Sequence, residues 1–211
     1  MPRANAPLER LDAVAYGPGL GDGPLNSELQ DFAGLLLLDA DGLNRLAAQD
    51  NVQSWLQRRR GPTWLTPHAA EFNRLFPELA ELPPIEAARQ AAQQSQCWVL
   101  LKGAHTQIAS PRGQLRQVMQ SDARAARAGL GDVLSGYAAG LGAMGLASGL
   151  NPAEDRFDGL LALAALAHAN AGREQSQEGN GAASPLAIAQ KLQKNRNADI
   201  CEETDDNLKP Q

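Results

Sequence analysis

Four consecutive leucines, Leu35-Leu36-Leu37-Leu38, constrain the fold of this chain more than any other stretch. A strand points successive side chains to opposite faces, so a run that is apolar at every position must be covered on both. Trp98-Val99-Leu100-Leu101 has the same character. Strands of this kind belong in a parallel sheet with helices on either side. Asp12–Tyr16 and Thr63–Leu65 read as two more strands, and the leucine strand extends back to Gly34. Thr106–Ala109 and Leu115–Met119 read as a further pair, a hairpin across Pro111–Gly113. Asn51–Arg60, Ala69–Phe76 and Ile85–Ser95 space their apolar residues as helices do. The β-α-β-α order predicts an α/β layered domain.

The C-terminal half is helical and rich in small residues. Gly136 and Gly140 share one face of a helix after Asp132, where another backbone is expected to pack closely. Asn151-Pro152-Ala153-Glu154 has the form of a helix start, with a cap, proline at the first position and an acid at the third. Leu160, Leu161, Ala164, Ala167, His168 and Ala171 continue its stripe. Ser184-Pro185 opens a last helix through about Leu192 by the same logic. Residues 1–194 are expected to form one domain and the polar residues 195–211 a disordered tail.

The 211 residues carry 19 Lys and Arg against 24 Asp and Glu, a net charge of −5, and no basic stripe. That balance argues against a nucleic-acid partner. The one dense positive run, Arg58-Arg59-Arg60, reads as the solvated end of a polar helix before Gly61-Pro62. Two cysteines, Cys97 and Cys201, give no disulfide framework, and no Cys/His cluster suggests zinc. No stretch reads as a signal peptide or membrane span. A soluble protein of a reducing, cytoplasmic compartment is expected, with no membrane partner.

In open α/β sheets ligands sit beyond the carboxyl ends of the strands. Gly17-Pro18-Gly19-Leu20-Gly21 follows the first strand, Asp39-Ala40-Asp41-Gly42-Leu43-Asn44 the second, Thr66-Pro67-His68-Ala69-Ala70-Glu71 the third and Lys102-Gly103-Ala104 the fourth. Four strands thus deliver polar or glycine residues to one rim. Each segment alone has a plainer explanation. The glycine loop could be an ordinary turn, Asp39 or Asp41 a helix cap, Thr66 or His68 a cap with Glu71 as its capping-box partner, and Lys102 a solvated lysine.

Ala128-Gly129-Leu130-Gly131-Asp132-Val133-Leu134-Ser135-Gly136 carries the strongest chemical signal. Glycines let backbone N–H groups face outward, and a helix starting there adds the positive end of its dipole. Together they form an anion hole suited to phosphate. Asp132, at its rim, is a candidate general base for phosphoryl transfer; a glycine turn capped by Asp132 is the competing reading.

In this order and spacing, the four strand-end segments and Gly131-Asp132-Val133-Leu134-Ser135-Gly136 resemble the ADP- or ATP-dependent NAD(P)H-hydrate dehydratases, the carbohydrate-kinase-like half of the nicotinamide nucleotide repair proteins. The match runs from about Asp12 to Leu192. It implies a three-layer αβα ribokinase-like sandwich with a mostly parallel central sheet. It also implies a repair reaction on hydrated NADH or NADPH: the nucleotide, ADP or ATP with Mg²⁺, phosphorylates the hydrate hydroxyl, and phosphate is then eliminated. By the resemblance Asp132 is the base. Lys102, Gly103, Ala104, Gly129, Leu130 and Gly131 hold the phosphates. Gly19, Gly21, Asp39, Asn44 and His68, with Asp132, line the hydrate side.

Two departures from the family pattern stand out. Relatives have a longer region before the glycine loop than the 16 residues here, so an N-terminally shortened sheet is expected, with a homo-oligomer as a candidate assembly. Relatives also carry a Gly-Asn-Pro-Gly-like run before the anion hole and threonine between its glycines. Ser121–Arg127 and Leu130 stand there instead, with Arg124 and Arg127 as candidate phosphate contacts. Two other functions remain open: a small-molecule kinase acting on a hydroxymethyl group with the same base, and a non-catalytic nucleotide-binding remnant.

Overall fold

The computed structural model describes residues 7–119, 129–178 and 184–194. The expected tail and the Ser121–Arg127 run, with Arg124 and Arg127, lie outside the described residues. Six strands form one sheet in sequence order: β1 (Ala13–Tyr16), β2 (Leu35–Leu38), β3 (Thr63–Leu65), β4 (Trp98–Leu101), β5 (Thr106–Ala109) and β6 (Leu115–Val118). The pairs from β1 to β4 are parallel, whereas β5 and β6 return as an antiparallel hairpin. The helices are α1 (Asp41–Ala47), α2 (Val52–Gln57), α3 (Ala69–Leu75), α4 (Pro84–Ser95), α5 (Leu130–Ala147) and α6 (Asp155–Glu178), followed by α7 over residues 185–194. This is the mostly parallel α/β sheet that the leucine run implied.

The leucine run divides as its geometry requires. Leu36 and Leu38 join Leu65, Val99 and Leu101 in one core with α1 to α4, whose contributions include Leu43, Leu56, Phe72 and Ala88. Leu35 and Leu37 join Trp64, Trp98 and Leu100 in a second core on the opposite face, against Leu134 and Ala138 of α5 and Phe157 and Leu161 of α6. All four leucines are fully buried. A smaller cluster, Leu130, Ala171, Ile188 and Leu192, fixes α7 beside the start of α5.

Four local expectations need correction. The segment Asn151–Glu154 is a turn in which Asn151 Oδ1 accepts from the Ala153 amide, and α6 begins at Asp155. Neither Asp39 nor Asp41 caps α1, because Ala40 occupies the cap with no side-chain bond. Nor, among the described residues, does a backbone pack on Gly136 or Gly140: a Cβ at either would meet nothing within 4 Å. The close approaches on α5 fall instead at Gly142 and Gly145, where a Cβ would lie 2.1 Å from Leu35 Cδ2 and 2.5 Å from Leu160 Cδ1.

The fourth concerns the arginine run. Arg58 behaves as a helix end, its Nε donating to the Ser54 carbonyl. Arg59 does not: its guanidinium turns inward and donates to the carbonyls of Leu29, Gln30, Phe32 and Gly34. Burial lowers its pKa to about 10, partly opposed by Cys97 and Asp31.

Candidate active site

The carboxyl ends of β1, β2, β3 and β4 open on one rim, and the start of α5 meets them there. Close approach of β1 and β2 requires two glycines. A Cβ on Gly17 would sit 1.7 Å from the Asp39 carbonyl oxygen, and one on Gly42 would sit 2.4 Å from that of Tyr16. The Gly17–Gly21 loop is held rigidly. Asp41 Oδ2 accepts from the Gly21 amide at 2.7 Å. Arg45 donates to the carbonyls of Leu20, Gly21, Asp22 and Pro24, and to the Tyr16 hydroxyl. Gly19 and Gly21 have open space where a Cβ would be, so their positive φ of 70° and 63° is what glycine serves there. Arg45 was not legible as a site residue, because nothing in a local pattern says which loop a helix arginine will grip.

At the centre of the rim lies Asp39, 1% exposed at the end of β2. Its Oδ1 is 2.6 Å from Lys102 Nζ, and its Oδ2 accepts from Ser135 Oγ at 2.6 Å. A Cβ on Gly131 would lie 3.5 Å from Asp39 Oδ2 and 3.7 Å from Lys102 Nζ. Strand β2, the end of β4 and the first turns of α5 therefore converge on one buried carboxylate. Ala40, next in sequence, holds φ 45° and ψ −120°, a conformation non-glycine residues rarely adopt. The surroundings force it: the Asp39 amide donates to the Tyr16 carbonyl at 3.1 Å, and its carbonyl accepts from Gly42 at 2.9 Å.

Around this centre the other expected residues take distinct places. His68 caps α3, its Nδ1 accepting from Ala70 and Glu71 while Glu71 Oε2 accepts from the His68 amide, a complete capping box. The Lys102 amide donates to Pro67 at 2.8 Å, which extends the β3–β4 pairing and sets His68 beside Lys102. Gly103 and Ala104 follow, exposed on the rim. Asn44 is exposed on α1, and its Oδ1 accepts from Arg74 Nη1 at 2.9 Å. Thr66 is fully buried and donates to the Leu38 carbonyl.

The start of α5 has the form of an anion hole. Gly129 takes φ 86° as the cap and offers no side-chain bond, so the first-turn N–H groups are not capped by it. Leu130 turns its side chain into the small core beneath, so its backbone alone is available to a ligand. Asp132 is exposed, third in the helix, where an acid is favoured by the dipole. Behind this turn His168 is held below its usual pKa by burial, partly opposed by a bond with the Leu130 backbone; its Nε2 is buried without a partner among the described residues.

Over residues 1–194 the chain matches the NAD(P)H-hydrate dehydratase family, the carbohydrate-kinase type. It belongs to that family. Among curated relatives it is 44% identical, over 82% of its own length, to a bifunctional NAD(P)H-hydrate repair enzyme of a Synechocystis strain, of which the match spans 32%. Among solved structures it is 25% identical, with a TM-score of 0.66, to the ADP/ATP-dependent NAD(P)H-hydrate dehydratase of Bacillus subtilis co-crystallised with ATP and Mg²⁺. That match covers 87% of this chain and 63% of the other. A ribokinase-like superfamily protein of Enterococcus faecalis, 21% identical with a TM-score of 0.70 over 88% of this chain and 62% of that one, shares the fold. The chain thus spans about a third of that curated repair enzyme and under two thirds of these structures. No helix among the described residues is long and apolar enough to cross a membrane.

Proposed function

We propose that this chain carries out the nucleotide-dependent dehydration of hydrated NADH and NADPH. The observation that carries the reading is the meeting of Lys102, the glycine-led start of α5 and the exposed Asp132 at one rim of the sheet. Family membership supports it. The terminal phosphate of ADP or ATP would lie against the backbone N–H groups of Leu130 and Gly131, next to Gly129. The Lys102 ammonium would offset its charge, with Gly103 and Ala104 beside it on the rim. Asp132 would take the proton of the hydrate hydroxyl as that oxygen attacks the phosphorus. The C–O bond then breaks with its electrons leaving on phosphate, the ring nitrogen lone pair assisting, and loss of a neighbouring ring proton restores the double bond. Gly19, Gly21, Asn44 and His68 would line the hydrate side of the crevice.

Among the described residues no group of three His, Cys, Asp or Glu side chains could cage a metal ion, and Asp39 is already engaged. Magnesium fits here as an ion carried on the nucleotide phosphates with its own waters, which leaves Asp132 to act as the base. When bound, it neutralises phosphate charge. A nucleotide substrate and the free, buried Cys97 thiol suit a reducing, cytoplasmic setting.

The test is recovery of NADH absorbance from NADH hydrate by purified chain with ADP or ATP and Mg²⁺, beside Asp132→Asn. Turnover should fall by a factor on the order of 100 or more in the variant, while nucleotide affinity stays within a few-fold. A variant that keeps turnover removes Asp132 as the base, and loss of affinity and turnover together would make its role structural.

A further inference from the structure

The buried carboxylate at the rim has a task that the sequence reading did not give it. Both Asp39 oxygens are occupied at 2.6 Å, one by Lys102 Nζ and one by Ser135 Oγ. A carboxylate so engaged is poorly placed to grip a substrate directly. Its partners, however, are the two things a phosphate site must hold in register. Lys102 is a flexible cation at the end of β4, and Ser135 stands one turn beyond Asp132 on the same side of α5. The Lys102 side chain remains 24% exposed, whereas the Asp39 side chain is 2% exposed.

We infer that Asp39 and Ser135 are positioning residues, which hold the Lys102 ammonium against the start of α5 and fix the rotation of the helix that presents Asp132. The inference rests on the proposed phosphate site. A free lysine would lose rotamer entropy each time it met a phosphate, and an anchored one has lost it already. Ser135 completes the device by supplying the second hydrogen bond that a buried carboxylate needs. Strain at Ala40 and the two tight glycines at 17 and 42 show that the backbone around Asp39 is itself fixed rather than adaptable.

A double-mutant cycle on nucleotide binding tests this. ATP affinity with Mg²⁺ is measured by calorimetry for the wild type, Ser135→Ala, Lys102→Ala and the double variant, with thermal melts alongside. Ser135→Ala should weaken binding about tenfold, the scale of one hydrogen bond to a charged group, and Ser135→Thr should restore most of it. In the Lys102→Ala background the same change should have little further effect, because the cation it positions is gone. Equal losses in both backgrounds, or full affinity in a folded Ser135→Ala protein, would overturn the inference, as would a folded wild type that does not bind nucleotide. The readout needs no turnover. A positive cycle without NADH recovery therefore supports the positioning role and counts against the dehydratase reading alone.

Discussion

Cys97 shows how far one residue's chemistry depends on where the chain puts it. The thiol precedes β4, is fully buried and donates to the Ser95 carbonyl at 3.3 Å. Burial raises its pKa from 9.0 to about 12, against the opposing pull of the Ser95 contact and the Arg59 charge. In a Cys201→Ser background at pH 8, labelling of native protein by an aromatic disulfide reagent should run about 1000-fold slower than after unfolding, since thiolate is the nucleophile. The folded pKa lies above the unfolded value, so the neutral thiol's contribution is complete below pH 9 and is lost as pH rises from 9 towards 12. Urea unfolding across that range should show a steeper loss for the Cys201→Ser protein than for the same protein with Cys97→Ala.

The element that couples site to core is α5. Its glycines are not equivalent, although sequence spacing makes them look so. Gly140 is exposed with open space at its Cβ, so Gly140→Ala should stabilise the protein by about 0.5–1 kcal/mol through helix propensity. Gly142 faces β2 at a distance no Cβ can share with Leu35, so Gly142→Ala should cost about 1–3 kcal/mol. Denaturant midpoints of the two variants give the comparison directly, and two shifts of the same sign would contradict the packing described for α5. The glycine pair at 136 and 140 was singled out from the sequence because helical periodicity says which residues share a face. Periodicity cannot say which face meets the sheet.

Across the whole molecule, the two cores on either side of the sheet share their strands, and β2 belongs to both. Leu36 faces the core with α1 to α4, and Leu37 faces the core with α5 and α6. Each truncation to alanine should cost about 2–5 kcal/mol. Trp55 lies in the first core and Trp64 and Trp98 in the second, so tryptophan fluorescence samples both. Fluorescence and far-ultraviolet dichroism should trace one coincident transition in either variant. A second transition confined to one variant would mean that the cores unfold independently.

The sequence by itself determined the strands and the segments that follow them at the rim. Apolar runs without alternation require cover on both faces, and the polar or glycine segments after them are local features of the chain. The His68–Glu71 capping box and the glycine turn before α5 were legible for the same reason, since caps and turns are made by near neighbours. What only the tertiary structure decided is long-range: the grip of Arg45 on the glycine loop, the inward turn of Arg59, and the meeting of Asp39 with Lys102 and Ser135. Lys102 and Ser135 stand 63 and 96 positions from Asp39 along the chain. No local pattern encodes contacts of that span. They arise because the parallel sheet brings the ends of β2 and β4 together and the core under α5 sets which of its faces turns toward them.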